Sequence, residues 1–215
     1  MNRGIIFDFD GVLIDTWRLH EACWKAVLAT EHAEVSDEVL AKSIGLNPLE
    51  TAELLVETLS LNQPAKELAR KKEQSFSEKA GSLLVFPGAI RALERLRGDF
   101  AVAISSSREE SLTRSVLRQV GIKTEGISMT VSADAVTAEP DDLLREAIKR
   151  LGVEPMRAAL VDDNRTGILA AKRLGLQAIA FDSNPQHHPD FSIADAQIRD
   201  LDELLPELVN GVIAA

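Results

Sequence analysis

The chain has 215 residues, 45% hydrophobic and 27% charged, and its 34 acidic against 24 basic side chains leave a formal charge of −10. That balance lacks the basic footprint of a nucleic-acid partner, and no apolar run reaches the roughly 18 residues of a membrane span. The start of the chain lacks a basic stretch followed by an apolar leader, and the single Cys23 admits no internal disulfide, so a cytoplasmic protein with one sizeable core and a small second domain is the simplest expectation.

The stretch Ile5–Ile6–Phe7 is apolar and β-prone, which predicts a buried parallel strand. The strand stops in Asp8 and Asp10, with only Phe9 between them, and Gly11 lets the chain turn away. A period of two sets both carboxylates on one side of a continuing strand, or fans them around the loop that follows. Two carboxylates about 4 Å apart repel by roughly 4 kcal/mol at an effective dielectric near 20. A hard cation such as Mg2+ would remove that cost. The pair therefore reads either as an acidic cap on a solvated rim or as a nucleophile beside a general acid and base.

Helical spacing follows. Trp17, Leu19, His20, Cys23, Trp24, Val27 and Leu28 recur at three- and four-residue steps, with Asp15 or Thr16 as N-cap. Ser36–Asp37 opens a short helix that ends near Ser43–Ile44–Gly45, and Asn47–Pro48–Leu49–Glu50 has the pattern of a capping box with proline at the first helical position. The helix it opens would carry Leu54, Leu55, Thr58 and Leu59 on one face, and Pro64 to Ala80 is a charged helix anchored by Leu68 and Phe76. Residues 16–82 thus form a run of about four helices without a strand signal.

From Phe86–Pro87–Gly88 onward, strands alternate with helices. The strands are Phe100–Ile104, Ile127–Val131, Ala158–Val161 and Gln177–Phe181; the helices are Ala89–Arg97, Glu109–Val120, Asp141–Leu151, Thr166–Leu174 and Leu201–Val209. That alternation predicts a parallel sheet with helices on both faces, whose ligands sit beyond the carboxyl ends of the strands. Three polar clusters fall at such ends: Asp8/Asp10, Ser105 to Ser107, and Asp162/Asp163. Ser105 reads either as a helix N-cap or as a phosphoryl-oxygen donor. Asp162/Asp163 reads either as a cap or, with the first pair, as a divalent-metal site. His20 and Trp24 read as packed helix residues, and His187–His188 as a surface loop that needs no metal.

Asp8–Phe9–Asp10–Gly11–Val12–Leu13–Ile14–Asp15–Thr16 resembles the first motif of the haloacid-dehalogenase-like (HAD) superfamily, in the branch of phosphoglycolate phosphatases and β-phosphoglucomutases. Val161 to Gly175 is similar to the fourth motif and its helix, and Ser105 matches the second. The resemblance implies an α/β fold with a Rossmann-like core at residues 1–15 and 83–215 and an inserted helical cap at 16–82. It further implies a Mg2+-dependent phosphatase for a small phosphorylated metabolite, working through an aspartyl-phosphate. In that reading Asp8 is the nucleophile and Asp10 the acid and base; Asp8, Asp163, Asp162 and the Asp10 backbone oxygen bind the metal; Ser105, Ser106, Arg108, Thr16 and His20 lie near the substrate.

The third motif departs from the family. A lysine is expected directly before Pro140, and the chain has Glu139, with no Lys-Pro elsewhere. That exchanges a cation for an anion beside four carboxylates. Lys123, Lys149 and Arg108 are the cations that might substitute, and nothing in the sequence places them. The alternatives are a catalytically impaired binding or regulatory module and, ranked third for want of a cap arginine, a phosphoglucomutase-like phosphotransferase.

Overall fold

The computed structural model describes residues 3–44, 46–108, 110–130, 139–182 and 189–214. The expectations at Gly45, Glu109, Val131 and His187–His188 lie outside the described residues. The chain divides into two compact units, Met1–Asp15 with Leu84–Ala215, and Thr16–Leu83.

The larger unit is built on a six-stranded sheet in the order β5-β4-β1-β6-β7-β8, every neighbouring pair parallel. Its strands are β1 (Gly4–Asp8), β4 (Ala101–Ser105), β5 (Ser128–Thr130), β6 (Ala158–Asp162), β7 (Gln177–Phe181) and β8 (Ala196–Ile198). The central strands are short, apolar and buried on both faces, as a sheet covered by helices requires. Ile5, Ile6 and Phe7 of β1 are fully buried, each contributing about 1.5–3 kcal/mol against exposure. One face carries Ile6, Ala103, Leu160, Ala178 and Ala180, on which Leu144 and Ala147 of α7 (Pro140–Leu151) and Ile168, Ala170 and Ala171 of α8 (Arg165–Leu174) pack. Alanines on both sides of that contact let the helices approach the sheet closely. The other α-helices of this unit among the described residues are α5 (Ala89–Leu96), α6 (Glu110–Gln119) and α9 (Pro206–Ala214).

Three details differ from the sequence expectation. The segment expected as one helix from Leu201 to Val209 is a 3-10 turn at Leu201–Glu203 followed by α9, which starts at Pro206. Proline disfavours the α conformation in the residue before it, which breaks the first coil from the second. Strand β8, too short to show alternation, was not expected. Nor was the antiparallel pair of β2 (Ile14–Asp15) with β3 (Leu84–Val85), two residues each.

The smaller unit contains α1 (Trp17–Thr30), α2 (Asp37–Ala41), α3 (Pro48–Leu59) and α4 (Ala65–Lys79). Its core is Trp24, Val27, Leu28, Leu40, Ala52, Leu55, Leu68 and Ala69. Helix α3 turns Thr51, Ala52 and Leu55 inward; of the expected face Leu55 is buried, Leu54 and Leu59 are half-buried, and Thr58 is exposed. Its capping box is complete: the Asn47 side chain accepts from the Leu49 and Glu50 N–H groups, and the Glu50 carboxylate accepts from the Asn47 N–H. The Ser36 side chain caps α2, whereas Thr16 occupies the N-cap position of α1 without a side-chain cap bond. In the charged helix α4, Leu68 and Phe76 are buried as expected, and so is Lys72, at 1% exposure. No helix among the described residues is long and apolar enough to cross a membrane.

Candidate active site

Asp8 is the last residue of β1 and pairs in register with Ser105, the last of β4; on the other side Phe7 pairs with Val161. The next residues of β1 and β6, Asp8 and Asp162, therefore leave the sheet side by side at its carboxyl edge. Asp163 completes a trio in which one carboxylate oxygen from each residue lies within 4.8 Å of the others.

Two glycines make room for it. A Cβ on Gly11, whose φ of +79° already demands glycine, would stand 2.1 Å from Asp163 Oδ2. A Cβ on Gly167, in the first turn of α8, would stand 1.9 Å from Asp162 Oδ2. Asp162 Oδ1 accepts the Asn164 N–H at 2.7 Å, and the Asn164 side chain in turn caps α8 by accepting from Thr166 N–H at 3.0 Å. The capping role left open for the acidic pair thus belongs to Asn164, and both Asp162 and Asp163 are available for a ligand.

Burial raises the proton affinity of all three, and neighbouring charge adds to it at Asp8 and Asp163. Burial pushes the Asp162 carboxyl up to about 7 from 3.8. Asp8 is held well above the carboxylate range first by burial, then by the charges of Asp162, Asp10 and Asp163. Asp163 is raised by burial and by Asp162 and Asp10. Three hard oxygen donors this close together fit a divalent cation of the Mg2+ class, whose charge offsets the burial that raises all three and the repulsion that adds to it at Asp8 and Asp163.

Asp10 lies in the loop after β1, where Gly11 N–H donates to the Ile14 carbonyl and Ile14 N–H to the Phe9 carbonyl. The Arg108 guanidinium chelates its carboxylate: Nε donates to Oδ1 at 3.0 Å and Oδ2 at 2.9 Å, and an Nη nitrogen donates to Oδ1 at 2.9 Å. Ser105 and Ser106 are buried. The Ser105 carbonyl accepts Phe9 N–H at 2.9 Å, which ties the loop after β1 to the end of β4. Helix α6 starts only at Glu110, so Ser105 is not its N-cap. Ser106 Oγ accepts the Arg108 backbone N–H at 3.1 Å and the hydroxyl of the fully buried Thr113 at 3.3 Å.

Of the residues singled out in sequence, Asp8, Asp162 and Asp163 are brought together, and Asp10 is brought to Arg108. Thr16 and His20 belong to the helical unit, where Thr16 is buried and the His20 ring stacks on Phe76 at 4.5 Å. Glu139 is the exposed N-cap residue of α7 and makes no side-chain cap bond. Sequence reasoning did not find Thr113 or Gly167. Thr113 carried no signal, whereas a glycine in the first helical turn after an Asp–Asp pair was one for Gly167.

The family model for haloacid dehalogenase-like hydrolases matches residues 5–181. A phosphorylated carbohydrates phosphatase of Thermotoga maritima is 28% identical over 82% of this chain and 83% of its own. A β-phosphoglucomutase of Bacillus subtilis is 25% identical over 97% of this chain and 94% of its own. Among solved structures, a HAD hydrolase of family IA, variant 3, from Entamoeba histolytica superposes with a TM-score of 0.82 at 19% identity, covering 99% of this chain and 100% of that one. With the acidic trio at the strand ends and a family match over most of its length, the chain belongs to the haloacid dehalogenase-like hydrolases.

Proposed function

We infer that this protein is a Mg2+-dependent phosphatase for a small phosphate monoester, a phosphorylated carbohydrate being the substrate class that its relatives' names favour. The observation that carries the reading is the convergence of Asp8, Asp162 and Asp163 within 4.8 Å at the carboxyl edge of the sheet, with Asp10 in the loop that follows β1. An Asp8 carboxylate oxygen attacks phosphorus, the bond to the leaving oxygen breaks, and Asp10 gives that oxygen a proton. Asp10 then takes a proton from a water that attacks the aspartyl-phosphate, which releases inorganic phosphate and restores Asp8. Ser105, in register with Asp8, and Ser106, which follows it, would donate to phosphoryl oxygens. Asp8, Asp162 and Asp163 would hold Mg2+, which supplies positive charge to those oxygens.

The second reading, a binding module without efficient turnover, rests on Glu139, an anion where the family's lysine is expected. Phosphate release from a panel of sugar phosphates and other small esters, with Mg2+ and with EDTA, separates the two. Turnover that needs Mg2+ and disappears in a folded Asp8→Asn protein supports the phosphatase; esters bound but not hydrolysed by the wild type would establish the binding module instead.

A further inference from the structure

The acidic site has a charge problem that the metal alone does not solve. Four carboxylates, Asp8, Asp10, Asp162 and Asp163, carry four negative charges when ionised; a divalent cation offsets two, and a phosphate ester brings up to two more. Glu139 offers no relief. Arg108 is a positive charge already bound within this group, and its geometry is that of a placed residue rather than a surface arm. Its backbone N–H is fixed to Ser106 Oγ at 3.1 Å, Ser106 is held by Thr113, and both hydroxyl residues are buried. From that anchor the side chain crosses from the loop after β4 to the loop after β1, 98 positions away in sequence, and stays 11% exposed. A planar guanidinium fork fits a phosphoryl group as well as it fits a carboxylate.

Resting on the phosphatase reading, we propose that Arg108 exchanges partners during the cycle. It chelates Asp10 in the substrate-free protein and moves to the phosphoryl oxygens when substrate binds, supplying the positive charge that Glu139 cannot. The exchange couples two requirements. A fork closed on Asp10 blocks that carboxylate from reaching a leaving oxygen, so Asp10 becomes available as the fork transfers to the phosphoryl group. No covalent bond changes in the exchange; two ion-pair partners compete for one cation.

The test uses the full chain with Mg2+ and inorganic phosphate as probe, by isothermal titration calorimetry, alongside turnover of whichever ester the wild type hydrolyses. Arg108→Ala is expected to keep its melting temperature within a few degrees, to bind phosphate at least about tenfold more weakly, and to lose about 10²–10³-fold in kcat/KM. Millimolar guanidinium should restore at least tenfold of that rate in Arg108→Ala and leave the wild type unchanged. Asp10→Asn, which removes the competing carboxylate, should bind phosphate about tenfold more tightly, and the gain should vanish in the Arg108→Ala background. Phosphate affinity that ignores Arg108, or an Asp10→Asn gain that persists without it, overturns the inference. Should no ester be hydrolysed while phosphate binding still follows Arg108 in this way, the phosphatase reading fails and the exchange of partners stands.

Discussion

Asp162→Asn should make the metal-free protein more stable, and more so at higher pH. Asp162 is 7% exposed, and burial lifts its carboxyl from 3.8 to about 7. In the unfolded chain this group loses its proton near its ordinary value; in the folded protein it keeps the proton until about pH 7. Between those values the folded state binds more protons, so stability falls as pH rises through that window. At about 1.4 kcal/mol per unit the ceiling on the penalty is roughly 4 kcal/mol above pH 7 and less than half of that at pH 5. The amide cannot ionise, yet its Oδ1 still accepts the Asn164 N–H that the carboxylate accepts at 2.7 Å. In EDTA at pH 8 the variant is expected to gain about 2–4 kcal/mol, a rise of roughly 4–16 °C in melting temperature for a chain of this size, shrinking to less than half by pH 5. Adding Mg2+ should then raise the melting temperature of the wild type far more than that of the variant, because ligand binding stabilises only the state that forms the site. Calorimetric melts from pH 5 to 8, with EDTA and with Mg2+, provide the measurement. A variant less stable than wild type in EDTA at pH 8, or a gain independent of pH, would refute the account of the trio as a strained cation site.

Other expectations are as direct. Helix propensity alone would favour Gly167→Ala by about 1 kcal/mol, but its Cβ would meet Asp162 Oδ2 at 1.9 Å and Cγ at 2.6 Å; no net stabilisation and at least a tenfold loss of Mg2+ affinity by calorimetry are expected, and a more stable protein with intact affinity would disprove the clash. Asn47→Ala removes both bonds that the Asn47 side chain makes in the α3 capping box and should cost about 1 kcal/mol, read as faster amide exchange confined to the first turn of that helix. Lys72 sits at 1% exposure with Nζ 2.6 Å from the Glu73 carboxylate and 5.0 Å from the centre of the Phe76 ring. Lys72→Met should leave the helical unit within about 1 kcal/mol of wild type or above it in urea melts, since apolar replacement of a buried ion is often neutral or stabilising; a loss near 3 kcal/mol would show that the charge itself holds the bundle.

Local chemistry in the sequence determined much of this protein. Ile5–Phe7 and Ala158–Val161 are apolar without alternation, so they mark central parallel strands, and the carboxylates that follow them mark the edge where a ligand site belongs. Asn47 to Glu50 specified its own capping box because every bond in that motif spans three residues or fewer. The break at Pro206 has an equally local cause, the clash with the preceding residue, but helical spacing on either side hid it in the sequence. Tertiary structure decided what depends on distance across the chain. The face of α3 that turns inward is chosen by what it packs against, and the burial of Lys72 in a charged helix follows from Trp24 and Phe76 around it. That Arg108, and not Lys123 or Lys149, chelates Asp10 could not be read from composition or spacing. An ion pair 98 residues apart exists only once β1 and β4 have paired in register, because that pairing carries the two loops to the same edge of the sheet.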